Sequence, residues 1–160
     1  MEPDDSMRLR KLLLADMDAA ARIHRIAFED RLPWLPRLHT PEEDRNYYRG
    51  RIFRQSEVWG AEEEAAVKGF IAFHGEWIDQ FYILPEAQRR GLGSALLEIA
   101  KAASPRLRLW TFQRNLPARH FYEARGFVLV KETDGSDNEE REPDALYVWT
   151  RSMEDLCRVS

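Results

Sequence analysis

Thiols are nearly absent from this chain: Cys157 is its one cysteine. An internal disulfide is therefore excluded, and no Cys-His pattern offers a thiol nucleophile with its base. Long apolar runs are missing too, and nothing approaches the ~20 residues that a membrane-spanning helix needs. The opening MEPDDSMRLRK passes from acidic to basic with no apolar centre, so no secretory leader is expected there. There is no excess of positive charge: 28 acidic residues face 24 Lys and Arg, for a net charge of −4. That balance argues against a general nucleic-acid binder. The four histidines, His24, His39, His74 and His120, are scattered without the spacing of metal ligands. These absences predict a cytoplasmic protein with no metal, no membrane contact and no nucleic-acid partner.

What the chain does have is enough apolar material for a core. Its 160 residues are 44% hydrophobic, so one domain over 1–160 is expected, with 1–6 and 152–160 as tails. Arg8 to Leu14 reads as a first strand. Asp16 is placed to cap a helix to about Phe28, with Met17, Ala20, Ile23 and Ala27 at helical spacing. In TPEE, Thr40 is an N-cap, Pro41 the first helical residue and Glu43 the partner in a capping box. The helix that follows carries Tyr47, Tyr48 and Ile52. Three short strands are predicted next, Glu57 to Ala61, Lys68 to Phe73 and Trp77 to Leu84, separated by acidic and Gly-containing turns as in an antiparallel meander. A helix starts after Gly91, with Leu92, Ala95, Leu96, Ile99 and Ala103 on one face. Arg106 to Phe112 is a strand, Asn115 caps a helix to Arg125, and Gly126 suits its C-terminal turn. Phe127 to Glu132 and Ala145 to Thr150 close the set. This is an α/β order with a mixed, mostly antiparallel sheet.

The stretch YILPEAQRRGLGSALL holds the chemistry. A helix start leaves backbone N–H groups without intrahelical partners, and the helix dipole adds positive potential there. An anion such as a diphosphate fits that point if side chains stand back, which is a reason for Gly91 and Gly93. Arg89 and Arg90 add charge. A dinucleotide fingerprint would want a small residue at position 96, where Leu96 stands, and a Walker loop would want Gly-Lys-Ser/Thr, which is absent. Taken alone, Gly-x-Gly is equally a tight turn entering an ordinary helix.

The surroundings add to it. Gln88-Arg89-Arg90-Gly91-Leu92-Gly93, following FYILPE, resembles the Q/R-x-x-G-x-G/A motif of the GCN5-related N-acetyltransferase (GNAT) superfamily. NLPARHFYEARGF, Asn115 to Phe127, resembles that superfamily's second signature, and the element order agrees over nearly the whole chain. The resemblance implies a mixed, mostly antiparallel central sheet with splayed middle strands and about four helices. It implies acetyl-CoA as co-substrate, with the pantetheine arm along the backbone of Phe81, Tyr82 and Ile83. The pyrophosphate would meet Gln88, Arg89, Arg90, Gly91, Leu92, Gly93 and Ser94. Asn115 would reach the cofactor with its amide, or serve as the N-cap, or both.

Tyr122 falls where this superfamily often has a tyrosine near the sulfur. A phenol with a pKa of ~10 is protonated at neutral pH and can donate to a leaving thiolate; the alternative is that Tyr122 and Phe121 are the apolar face of the helix. An acceptor amine is only ~0.1% neutral at pH 7, so its proton must go somewhere, and Asp79 is the candidate base. A water relay, or a structural role for Asp79 at the strand end, stands beside it. Glu76 reads as solvated. Trp34 and Leu35, between two prolines, would form an apolar wall on the acceptor side or plug a surface loop. The loop from Thr133 to Asp144 has six acidic residues against one arginine, which would attract a cationic acceptor or simply be solvated. The activity so implied is acetyl transfer to a primary amine, of a small molecule or a protein, by direct attack in a ternary complex; a homodimer is compatible. The alternative is a CoA-binding regulatory module without turnover.

Overall fold

The computed structural model describes residues 7–152; Cys157 and most of the two expected tails lie outside the described residues. The elements follow the order read from the sequence: β1 (Arg8–Lys11), α1 (Met17–Arg31), α2 (Pro41–Tyr47), β2 (Glu57–Glu63), β3 (Ala66–His74), β4 (Trp77–Ile83), α3 (Leu92–Ala103), β5 (Arg106–Phe112), α4 (Leu116–Ala124), β6 (Val128–Thr133) and β7 (Asp144–Thr150). Hydrogen-bonded neighbours give seven strands in the order β1-β2-β3-β4-β5-β7-β6. The fold is α/β with a mostly antiparallel sheet, as expected. The chain groups into two compact units. One runs to His74 and resumes over Ile78–Ala100; the other holds Gly75–Trp77 and the chain from Lys101.

The first unit is built around β3. Its Phe70, Ile71, Ala72 and Phe73 are all buried. Successive strand side chains point to opposite faces, so β3 is covered on both. β2 lies antiparallel to β3 from Glu57↔Phe73 to Glu63↔Ala66, with a bulge at Ala61/Glu62, and β1 lies antiparallel to β2 on its other side. The turn between β2 and β3 is only Glu64 and Ala65, with φ of 54° and 61°. Both sit in the left-handed region that a two-residue hairpin of this twist requires. From α1, Met17, Ala20, Ile23 and Ala27 are buried, the stripe that the helical spacing predicts.

Two helix starts turn out differently. Thr40 and Glu43 make the reciprocal capping box, with bonds of 3.1 and 2.9 Å. The expected cap at Asp16 is corrected. Its carboxylate makes no cap bond to α1 but accepts from Leu13 N at 2.7 Å and from Arg10 at 2.8 and 2.9 Å. Arg10 also bonds Glu62 of β2 at 2.7 Å. The Arg10 guanidinium, helped by the Leu13 amide, holds the Asp16 carboxyl below its ordinary range. The second helix also departs from a regular one. After Tyr47 it opens into a wide π-turn over Tyr48–Ile52 and closes with one turn, Phe53–Gln55. Tyr48 and Ile52 are buried there, while Tyr47 is exposed.

In the second unit β7 lies between β5 and β6, antiparallel to both. Ala145, Tyr147 and Trp149 alternate inward along β7, and Leu107 and Leu109 do so along β5. Trp77, the first residue of β4, pairs in parallel with Arg108 of β5, and Arg108 N donates to Glu76 O at 2.7 Å. β6 is an edge strand, and Val128, Leu129 and Val130 on it are exposed. No helix among the described residues is long and apolar enough to cross a membrane.

Candidate cofactor and acyl-transfer site

In the first unit the end of β4, a short connection and the start of α3 come together. Leu84 N donates to Lys68 O at 2.8 Å, tying the strand end to β3. Pro85–Ala87 makes one 3-10 turn, and Arg89 and Gly91 follow with φ of 65° and 84°. These two left-handed residues turn the chain sharply into α3. The first bond of that helix is Ala95 N to Gly91 O at 3.0 Å, so Leu92 and Gly93 contribute amides to its opening turn. A Cβ built on Gly91 would meet nothing within 4 Å. The mouth of α3 is therefore open, amide-lined and at the positive end of a 12-residue helix. A diphosphate fits these donors. Arg89 and Arg90 are exposed beside it. Arg90 is partly committed, at 3.1 Å to Glu63 and 3.1 Å to Glu86 O.

Gln88 works as a brace. Its Nε2 donates to Ile83 O at 3.0 Å, and its Oε1 accepts from Arg31 Nη2 at the end of α1. The last residue of β4 is thereby fixed to α1 through one side chain. Sequence reasoning singled out Gln88 but missed Arg31, which lies 57 residues away.

Tyr82 points to an aromatic cluster that sequence reasoning also missed. His24 of α1 stacks on the Tyr82 ring, with centroids 4.3 Å apart and planes 11° apart. His24 Nδ1 and the Tyr48 hydroxyl are 2.7 Å apart. Phe70 meets Tyr48 edge-on at 5.6 Å and Tyr82 at 6.1 Å. Burial pushes the His24 imidazole down to about 4, and it pushes the Tyr48 phenol well up. The ring at position 24 is therefore neutral at ordinary pH.

Asp79 sits elsewhere on β4. Its Oδ2 accepts from Ser56 Oγ at 2.9 Å and lies 2.5 Å from His74 Nδ1. Glu76, expected to be solvated, has a side chain 43% exposed and pairs with Arg108 at 3.2 Å. Trp34 is exposed and Leu35 half-buried, with Leu35 N donating to Leu32 O at 3.1 Å.

Asn115 and Tyr122 belong to the second unit. Asn115 Oδ1 accepts from Ala118 N at 3.3 Å, so it caps α4. Tyr122 is buried among Phe121, Phe127 and Tyr147, with ring centroids 5.5, 5.5 and 6.4 Å away. Burial raises its phenol above the ordinary range, so it stays protonated through neutral pH. The acidic loop from Thr133 to Asp144 is largely engaged with its own unit. Glu142 is buried and pairs with Arg114 at 2.6 Å, and Asp144 accepts from Asn138 at 3.1 Å. No group of three or more His, Cys, Asp or Glu among the described residues could hold a metal ion.

Residues 54–129, from the last turn before β2 into β6, match the family described as Acetyltransferase (GNAT) domain. Over that stretch the chain resembles the GNAT family. Among curated relatives, the Escherichia coli peptidyl-lysine N-acetyltransferase YiaC is 33% identical over 93 residues, which are 53% of this chain and 64% of that one. The chain thus spans less than two thirds of that relative's length. Among solved structures, apo YjaB from Escherichia coli has a TM-score of 0.75 at 20% identity, over 92% of this chain and 99% of that one. The PaiA N-acetyltransferase of Thermoplasma acidophilum, in complex with coenzyme A, has a TM-score of 0.71 at 22% identity, over 91% and 99%. At such identities the likeness speaks for the fold.

Proposed function

We propose that this protein is a GNAT-type, acetyl-CoA-dependent N-acetyltransferase acting on a primary amine, and that the acceptor is a lysine side chain of a protein. The observation that carries the reading is the open mouth of α3, with Gly91 at φ 84° and free space where a Cβ would stand. The GNAT match over residues 54–129 supports it, as do the lysine acceptor in the name of YiaC and the coenzyme A in the PaiA complex. Residues 1–160 act in this reading as one N-acetyltransferase domain in the cytoplasm. A homodimer belongs to the same proposal, with the apolar edge strand β6 as its support.

The residues present fit such a ligand. Phe81, Tyr82 and Ile83 would offer backbone to the pantetheine arm, with Ile83 O already held by Gln88. Arg89, Arg90, Gly91, Leu92, Gly93 and Ser94 would face the pyrophosphate, and Asn115 would lend its amide beyond its capping bond. Bound acetyl-CoA supplies an activated acetyl group: the acceptor nitrogen gains a C–N bond as the C–S bond breaks, the nitrogen sheds a proton and the sulfur gains one. Tyr122 is proposed to supply the sulfur's proton, since its raised pKa keeps it protonated. Asp79 is proposed to take the amine's proton, shared with the His74 ring on the same oxygen. Trp34 and Leu35 are proposed to wall the acceptor.

Free-thiol release from acetyl-CoA with lysine peptides tests the activity, and a melting-temperature rise with CoA tests the binding. No rise and no thiol would end the reading. Tyr122→Phe separates an enzyme from a regulatory CoA binder: turnover should fall by ~10²–10⁴ with CoA affinity nearly kept. Unchanged turnover removes Tyr122 from the mechanism.

A further inference from the structure

His24 does nothing in the mechanism above, yet its surroundings are specific. Tyr48 is fully buried, and its hydroxyl has one hydrogen-bond partner among the described residues, His24 Nδ1 at 2.7 Å. A buried hydroxyl that accepted from an Nδ1–H would leave its own hydrogen unbonded, which is costly in a site closed to water. The hydroxyl therefore donates to Nδ1. A neutral imidazole carries a single N–H, so the proton is on Nε2.

That Nε2–H has no partner among the described residues. Nor does it count among the fully enclosed side-chain polar atoms of the described residues that lack a hydrogen bond. It therefore keeps some accessible surface, on a half-buried side chain. The ring carrying it is clamped at 4.3 Å against Tyr82, in the stretch Phe81–Ile83. A fixed, open donor beside that strand end is a binding group.

The charges around it select the ligand. From α1 the nearest is Arg25, and from α2 it is Asp44. The two are paired with each other at 2.7 Å, and Arg25 also faces Glu29 at 3.6 Å. Tyr48 and Tyr82 are the titratable groups on the other two elements packed against the ring. Among the described residues that act on the ring, no unpaired cation is left to draw a carboxylate. A neutral N–H in this setting suits a neutral oxygen.

We propose that His24 is a ligand-binding donor of the acyl-transfer site: its Nε2–H, fixed by Tyr48 and Tyr82, binds an amide carbonyl oxygen of a ligand lying at the end of β4. The carbonyl comes from the pantetheine arm or from the peptide chain of a lysine acceptor. This rests on the acyl-transfer reading for the ligand, but the tautomer does not.

The full chain labelled with ¹⁵N-histidine gives the first test. At pH 7 His24 should have an unprotonated Nδ1 and a protonated Nε2, with a midpoint near 4 on acidification. Tyr48→Phe should erase the tautomer preference. A protonated Nδ1 at neutral pH overturns the proposal, as does a midpoint at the ordinary histidine value of ~6.5. Kinetics with acetyl-CoA and a lysine peptide give the second test. His24→Phe keeps a ring and drops the donor, and should raise one KM by roughly 5- to 30-fold, the loss of one hydrogen bond. A raised KM for acetyl-CoA places the carbonyl in the pantetheine arm, and a raised KM for the peptide places it in the acceptor. His24→Gln, which keeps an N–H donor, should recover part of the loss. Unchanged values of both KM in a folded His24→Phe overturn the proposal. If His24→Phe does not fold, Tyr48→Phe decides: a smaller rise in one KM supports the proposal and no rise overturns it. A wild-type chain that neither binds CoA nor releases thiol ends the acyl-transfer reading and the ligand with it, while the NMR result stands by itself.

Discussion

Replacing Gly91 by alanine separates what this glycine does for the chain from what it does for a ligand. In the protein itself the new methyl group meets nothing within 4 Å, so no packing clash arises. The cost comes from the φ of 84°, and a left-handed conformation costs an L-residue ~1–2 kcal/mol. At ~2–4 °C per kcal/mol for a domain of this size, the melting temperature should fall by ~2–8 °C. The ligand should lose more. The methyl group stands where a phosphate oxygen would approach the amides, and losing one charge-assisted bond costs ~1.5–3 kcal/mol, or roughly 10- to 150-fold in Kd. Gly75→Ala is a matched control. It also has a positive φ, 54°, and nothing within 4 Å, but it lies in the β3–β4 turn. Thermal melts of both variants, with calorimetric titration of CoA, read the two effects separately. A comparable loss of stability in both, with CoA affinity lowered only in Gly91→Ala, is expected. Intact CoA affinity in a destabilised Gly91→Ala would refute the phosphate seat.

Other consequences can be measured. Gln88→Ala leaves Ile83 O and Arg31 without their shared partner, so it should cost ~1–3 kcal/mol in urea unfolding and raise the KM for acetyl-CoA; a neutral effect on both would remove the brace. Stability should also respond to His24. Its folded pKa of about 4 lies below the unfolded value of ~6.5. Between the two values the unfolded chain holds more protons, so the stability is fully present above ~6.5 and is lost as pH falls toward 4, by about 3 kcal/mol in all. Wild type should therefore lose roughly 2 kcal/mol more than His24→Phe between pH 7 and pH 4.5, and equal losses would contradict the burial argument.

Local signals were legible wherever the chain obeys local rules. The α1 stripe of Met17, Ala20, Ile23 and Ala27 follows from helical spacing, and the Thr40 box follows from four adjacent residues. The glycine motif named its own place at the start of α3. Asp16 was misread because a competitor, Arg10, approaches from β1 and takes the carboxylate away from the helix. The π-turn at Tyr48–Ile52 has Gly50 at its centre, but a lone glycine in a helical pattern does not by itself specify a wide turn. The contacts of His24 with Tyr48 and Tyr82, and of Arg31 with Gln88, join residues far apart in sequence, and only the folded chain brings them together. Asp79 was legible as a carboxylate on β4, but its partners Ser56 and His74 come from two other stretches.

The tight reversal at Glu64 and Ala65 has a practical meaning for anyone handling this protein. Two ordinary residues hold a bend that asparagine and glycine would adopt willingly. Writing Asn-Gly there should firm the scaffold by about 1 kcal/mol, visible as a higher melting point. The hairpin tip so altered carries none of the groups assigned to ligand or proton transfer. Robustness lost while probing those groups can thus be restored at a place that leaves their chemistry alone.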